Sequence, residues 1–380
     1  MRSSVILEIK EQQRGMRAKV VVVLASLTHA CAFLLPPTSV RTAERWKRGV
    51  NIATTSWHLD CKLKHITRLC ATSAAHNPPE GNWDATFFSP SKINLFLRIL
   101  GKRPDGFHDL ASLFQTVGFG DDLYFQRLPK DADKDEFECN MDGIPTDRSN
   151  LVLRALELFR QKTTNRDFYK VYLSKQVPPE AGLGGGSANA ATALFAANEL
   201  AGRPASVEDL QLWSGELGSD ITFFLSSGTC YCTGRGEILQ PQQPLPQTRV
   251  WLVKPRDGLS TPVVFRNLDY DRRSSKNPLE LLRQFMQEGV ANAEYVNDLE
   301  LAAFKVMPSL QQMKIELECQ GFQHVLMSGS GSTIFCMGNP SHSDALADNF
   351  AKKWGAMVVE TCFINRPTDC QGWYTRTAPQ

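Results

Sequence analysis

Residues Pro178 to Thr192 read Pro-Pro-Glu-Ala-Gly-Leu-Gly-Gly-Gly-Ser-Ala-Asn-Ala-Ala-Thr, and they limit the chain more than any other stretch. Before them, Phe168 to Lys175 alternates apolar with polar side chains, which predicts a strand. After them, the alanine-rich run Ala188 to Ala201 predicts a helix that stops at Gly202. A strand that turns through glycines into a helix brings backbone N–H groups close to a ligand, because no Cβ intervenes. The helix start adds unpaired donors and the positive end of its dipole, a combination that suits phosphate. A purely structural turn satisfies the same glycine spacing. No Gly-Lys-Ser/Thr follows, so this is not a Walker loop. No acidic residue ends a following strand, so it is a poor dinucleotide fingerprint.

Pro178, Gly182, Leu183 and Gly184 form the pattern Pro-x-x-x-Gly-Leu-Gly, which resembles the phosphate loop of the GHMP kinases. The triple glycine and Ser187-Ala188-Asn189-Ala190-Ala191 are similar to one branch, the 4-diphosphocytidyl-2-C-methyl-D-erythritol kinases of plastid and bacterial isoprenoid synthesis. The resemblance implies an α+β, two-domain GHMP kinase fold. It places a ribosomal-S5-like ATP domain over residues 84–245 and a ferredoxin-like αβ domain over residues 250–370. It implies ATP and Mg²⁺, with Pro178, Gly182, Leu183, Gly184, Gly185, Gly186 and Ser187 as ATP contacts.

With 380 residues, the chain has room for two domains of ordinary size. A net charge of +2 argues for neither nucleic acid nor a membrane surface. The ten cysteines contain no Cys-x-x-Cys pair, which gives a zinc site little support. The mature cysteines are expected to be reduced and mostly buried. A monomer or weak homodimer, off the membrane, is expected.

The first ~80 residues differ in kind. Arg14, Arg17 and Lys19 precede the apolar run Val20 to Leu27, which is too short to span a bilayer, and Ala30-Cys31-Ala32 resembles a signal-peptidase site. Met16 serves equally well as an initiator. From Phe33 onward the stretch is basic, hydroxyl-rich and acid-poor, like a transit peptide. A signal peptide at 1–32 and a transit peptide at 33–80 resemble the bipartite presequences of algae with secondary plastids, which points to plastid stroma; simple secretion is the alternative.

Ser89 to Leu97 alternates as a strand that carries Lys92 and Asn94. Alone, Lys92 reads as a solvated side chain. By resemblance to the family's Ala-Lys-Leu-Asn-Leu, Lys92 sits beside the catalytic carboxylate and Asn94 near the substrate. Arg103-Pro104-Asp105-Gly106-Phe107-His108 is a turn that resembles the family's Arg-x-Asp-Gly-Tyr-His, whose aromatic and His hold the cytosine. Here Phe107 replaces Tyr, which keeps stacking and loses a phenol. Residues 122–140 predict a hairpin. Asn150 is a helix cap, and by resemblance it also stands at the adenine pocket.

Asp220, in Gly218-Ser219-Asp220-Ile221-Thr222, reads alone as a cap or turn residue. By resemblance to Gly-Ala/Ser-Asp-Val/Ile-Pro it is the catalytic carboxylate, with Thr222 in place of Pro. Phe265 is either a core residue of a buried strand or the second aromatic of the cytosine site. Ser328-Gly329-Ser330-Gly331 is a hairpin turn that resembles the family's third motif, which faces the phosphate loop. Glu180 is the awkward departure, since a carboxylate beside phosphates must point away or meet a cation such as Mg²⁺. The chain's end, Cys370 to Gln380, is expected to be a loose tail.

The collected motifs imply a kinase that moves phosphate from ATP to the 2-hydroxyl of 4-diphosphocytidyl-2-C-methyl-D-erythritol. A GHMP kinase for another alcohol and a non-catalytic ligand sensor on the same fold are the alternatives.

Overall fold

Apolar side chains recur through two consecutive segments, and these pair antiparallel along their whole length as β1 (Ala85–Lys102) and β2 (His108–Arg127). The computed structural model describes residues 80–341, 343–367 and 372–375. The expected leader segments therefore lie outside the described residues, apart from Glu80. Pro104-Asp105-Gly106 turns the hairpin, with the Arg103 and Gly106 amides bonded to Phe107 and Arg103 carbonyls.

β3 (Glu136–Cys139), α1 (Leu151–Lys162), β4 (Tyr169–Ser174) and α2 (Gly185–Leu200) follow. Two short helices, α3 (Val207–Ser214) and α4 (Ile221–Phe224), lead to β5 (Thr229–Gly234) and β6 (Ile238–Pro241). These strands form a six-stranded sheet of order β3-β4-β2-β5-β6, with β1 on β2. The hairpin predicted over 122–140 does not form. The end of β2 pairs with β4, and β3 lies parallel to β4 on its far side. Local alternation marked both strands but carried no sign of the partner that comes later in the chain.

Every residue from Ala188 to Asn198 in α2 is buried, and the helix packs against α1 and β1. A helix with no polar face belongs inside a core, and its alanines let the neighbours approach closely.

The second half begins with β7 (Arg249–Lys254) and the short helices α5 (Thr261–Arg266) and α6 (Pro278–Arg283). Next come α7 (Glu300–Val306), α8 (Pro308–Cys319), β8 (His324–Met327), β9 (Ile334–Met337), α9 (Ser343–Trp354) and β10 (Met357–Cys362). Their strands make a four-stranded sheet of order β10-β7-β9-β8. Phe265 is on a helix, so the buried-strand reading of its segment does not hold; Pro262 sits in the first turn of α5, where its missing N–H costs nothing.

Two further expectations fail. Among residues 370–380, Trp373 and Tyr374 are buried: the Trp373 indole donates to the Phe88 carbonyl at 2.7 Å and stacks on Phe195 at 4.4 Å. Among the described cysteines, Cys139, Cys230, Cys232, Cys319 and Cys336 are outside any disulfide, but Cys362 is disulfide-bonded, against the expectation of reduced thiols. Among the described residues, no helix is long and apolar enough to cross a membrane.

Candidate active site

The glycine stretch is held from both sides. The Lys92 amide in β1 donates to the Leu183 carbonyl at 3.0 Å, and the Thr333 amide donates to the Ala181 carbonyl at 3.1 Å. Gly182 and Gly184 both have positive φ, +73° and +69°, and Gly184 caps α2 without any side-chain hydrogen bond. A Cβ on Gly182 would stand 2.2 Å from the Ser328 carbonyl oxygen, so the two glycine loops touch through bare backbone. Gly331 is part of that contact, since its own backbone lies 3.0 Å from the same Cβ position. The amides of Gly185, Gly186 and Ser187 start the helix and have no partner within it.

One buried carboxylate fixes where this helix starts. Asp121, in β2, accepts from the amides of Gln176 and Val177 at 2.7 and 2.8 Å. It also accepts from Lys175 Nζ at 2.6 Å and Asn189 Nδ2 at 2.9 Å. A carboxylate out of water is tolerable only when its lone pairs are filled in this way. Asp121, Lys175 and Asn189 escaped the sequence reasoning, because no local pattern links residues this far apart in the chain.

Lys92 and Asn94 share one face of β1, and Lys92 Nζ donates to Asn94 Oδ1 at 2.8 Å. The ammonium lies 3.8 Å from Asp220 Oδ2 and 4.4 Å from the Phe114 ring centroid. Burial pulls the Lys92 ammonium below its ordinary range, and the Asp220 charge pushes it back up. Asp220 stands at the N-cap position of α4 but makes no side-chain cap bond, so its carboxylate is free for other work. The Thr222 hydroxyl, at the departure from Pro, meets Ser214 Oγ at 2.9 Å.

Glu180 lines the same cavity as the helix start. Its side chain lies against Gly258, and its charge acts on Lys254. Asn150 caps α1, accepting from the Val152 amide at 2.8 Å.

Phe107 is exposed, with the Arg235 guanidinium 4.9 Å from its ring centroid. The Phe265 ring lies 4.7 Å from the His108 ring, and Tyr270 meets His108 Nε2 at 2.5 Å. Arg235 and Tyr270 were not singled out in the sequence; each lies in a loop whose partner is remote in the chain.

A cavity of ≈1090 Å³ joins these groups. Its walls include Lys92, Asn94, Asp220, Asn150, Pro178 and the whole of Gly182 to Ser187, and on the other side Phe107, His108, Phe265, Gly329 and Ser330. Ser328 and Gly331 of the third-motif loop, and Thr222, do not line the cavity.

Residues 150–228 match the GHMP kinases N terminal domain, and residues 275–356 match the GHMP kinases C terminal domain. The 4-diphosphocytidyl-2-C-methyl-D-erythritol kinase of Oryza sativa subsp. japonica, described as chloroplastic, is 48% identical over 292 residues, 76% of this chain and 72% of the relative. The kinase of that name from Protochlamydia amoebophila is 48% identical over 251 residues, 66% of this chain and 83% of the relative. The chain belongs to this family of GHMP kinases. A crystal structure of 4-(cytidine 5'-diphospho)-2C-methyl-D-erythritol kinase, 28% identical, superposes with a TM-score of 0.62 over 73% of this chain and 99% of that one. The GHMP kinase fold expected from the sequence is thus the fold observed.

Proposed function

We infer that this chain is an ATP-dependent kinase that phosphorylates the 2-hydroxyl of 4-diphosphocytidyl-2-C-methyl-D-erythritol in the non-mevalonate route to isoprenoid precursors. The observation that carries the mechanism is the Lys92–Asp220 pair, 3.8 Å apart in the same cavity as the bare N-terminus of α2. The amides of Gly185, Gly186 and Ser187, with the helix dipole, hold phosphate oxygens. Asp220 orients the substrate hydroxyl and accepts its proton, while Lys92 holds Asp220 and the reacting oxygens. In a loose phosphoryl-transfer transition state little base strength is needed early, so positioning carries most of the rate. His108 and Phe265 form the wall for the cytosine, at the far side of the cavity from the phosphates.

Among the described residues, no group of three His, Cys, Asp or Glu could hold a metal ion. A Mg²⁺ ion would be held by the ATP phosphates and water with at most one or two carboxylates, and would neutralise charge on the phosphates. Residues 84–245 and 250–370 are proposed as the two domains, residues 1–32 and 33–80 as a leader to the plastid stroma, and the working form as a monomer or weak homodimer. Supporting the plastid reading, the rice relative is described as chloroplastic.

The test is ADP release by the purified chain with ATP, Mg²⁺ and one of three alcohols: the cytidyl substrate, mevalonate or homoserine. Turnover of the cytidyl compound alone is expected. Turnover of another alcohol would overturn the cytosine wall, and silence with all three would overturn the kinase reading.

A further inference from the structure

The base wall has a member that the mechanism leaves unused. Tyr270 begins a 3₁₀ turn, Tyr270–Arg272, on the loop after α5, and its phenol meets His108 Nε2 at 2.5 Å. That loop is fastened where it stands. Arg273 donates from Nε to the Tyr270 carbonyl at 2.8 Å and from Nη1 to the Ile99 carbonyl in β1 at 2.7 Å, and its guanidinium lies 5.0 Å from the Tyr270 ring centroid. The next residue, Ser274, donates its amide to Asp298 Oδ1 at 2.9 Å, and Asp298 is itself buried against Arg98 at 3.0 Å. A side chain on so many ties presents its hydroxyl at one place.

What the hydroxyl controls is the imidazole. Burial and the Lys102 ammonium hold His108 below its ordinary range, so the ring is neutral near physiological pH. A neutral imidazole has one donor and one acceptor. A phenol that donates to Nε2 takes the acceptor, and the ring proton must then sit on Nδ1. Among the described residues Nδ1 has no hydrogen-bond partner. Phe265, 4.7 Å away, packs on the ring and limits its rotation.

We propose that Tyr270 is a specificity-determining residue of this chain, fixing His108 as the Nδ1–H tautomer so that the wall offers a donor to a ring acceptor of the bound base. A cytosine ring has an acceptor at N3, whereas uracil carries a hydrogen there, so the arrangement favours the cytidyl over the uridyl compound. This rests on the kinase reading for the identity of the base, but the tautomer does not depend on it.

The experiment uses the full chain and Tyr270→Phe, which keeps the ring and removes only the hydroxyl. Nitrogen NMR of His108 in the free protein is expected to show the Nδ1–H form in the parent and a shift toward Nε2–H in the variant. A lost hydrogen bond of ordinary strength corresponds to about 2- to 10-fold. KM for the cytidyl substrate should rise by that factor while KM for ATP stays put, and the preference for cytidyl over the uridyl analogue should fall by the same factor. Conversion of Tyr270 to Phe with the His108 tautomer unchanged overturns the proposal, as does an altered tautomer with undiminished base preference. A parent protein that turns over no cytidyl substrate refutes the kinase reading instead, and the NMR result still decides the tautomer.

Discussion

Lys92 is placed where its charge is disfavoured, and Asp220 is the first of the groups that oppose the burial. The two side chains therefore depend on each other more than their 3.8 Å separation suggests. Asp220→Asn keeps the shape and removes the charge. Loss of a positioned acid–base group typically costs about 10²–10⁴ in rate, so kcat should fall by that order with KM for ATP little changed. The same substitution removes a cause that raises the Lys92 pKa and leaves the burial that lowers it. Lys92 acts in its charged form, so activity is lost as pH rises through its pKa. In Asp220→Asn the alkaline limb of the residual activity should lie at lower pH than in the parent. A near-normal kcat would remove Asp220 from the mechanism, and an unmoved alkaline limb would remove Lys92 from that limb.

At the scale of elements, the site depends on two loops that meet without side chains. Gly182 has φ +73° and would put a Cβ 2.2 Å from the Ser328 carbonyl, while Gly186 has only Leu151 Cδ1 at 4.0 Å. Left-handed backbone costs about 1–2 kcal/mol in any residue with a Cβ, before the clash is counted. Gly182→Ala is thus expected to lower the melting temperature by several degrees and raise KM for ATP, because the loops must part. Gly186→Ala, inside a helix with ordinary φ, should leave the melting temperature equal or slightly higher, since alanine gains roughly 0.5–1 kcal/mol over glycine there. Equal melting temperatures for Gly182→Ala and the parent would show that the contact between the loops is not tight. The strand, glycine loop and helix from Tyr169 to Leu200 were legible in sequence, because they are set by neighbours in the chain. The carboxylate that anchors them was not. Asp121 reaches Gln176 across 55 residues and Asn189 across 68, and alternation in β2 marks it only as one more inward position. Tyr270 was hidden for the same reason, its loop being tied through Arg273 to Ile99 in β1, 174 residues away, and through Ser274 to Asp298.

For the molecule as a whole, the sequence showed both halves and the order of their motifs, but not how the end of the chain is used. Polarity and closeness to the terminus suggested a loose tail, yet tertiary packing overrides both at Trp373. Its indole N–H donates to the Phe88 carbonyl in β1, and its ring stacks on Phe195 of α2 at 4.4 Å, with the Arg366 guanidinium 4.9 Å from the Trp373 ring. The chain end thus covers the buried helix whose N-terminus forms the phosphate site. Trp373→Ala would remove the ring stacked on Phe195 and the indole donor to the Phe88 carbonyl. Core Trp→Ala changes cost about 3–5 kcal/mol, and at roughly 2–4 °C per kcal/mol for a domain of 150–250 residues the melting temperature should fall by about ten degrees. Thermal unfolding followed by circular dichroism checks this. Trp373 lies at the far end of α2 from Gly185, so KM for ATP should hold at temperatures where the variant is folded. An unchanged melting temperature would mean that the chain end adds nothing to the core, and a raised KM in folded protein would mean that α2 passes the disturbance along to its phosphate-binding end.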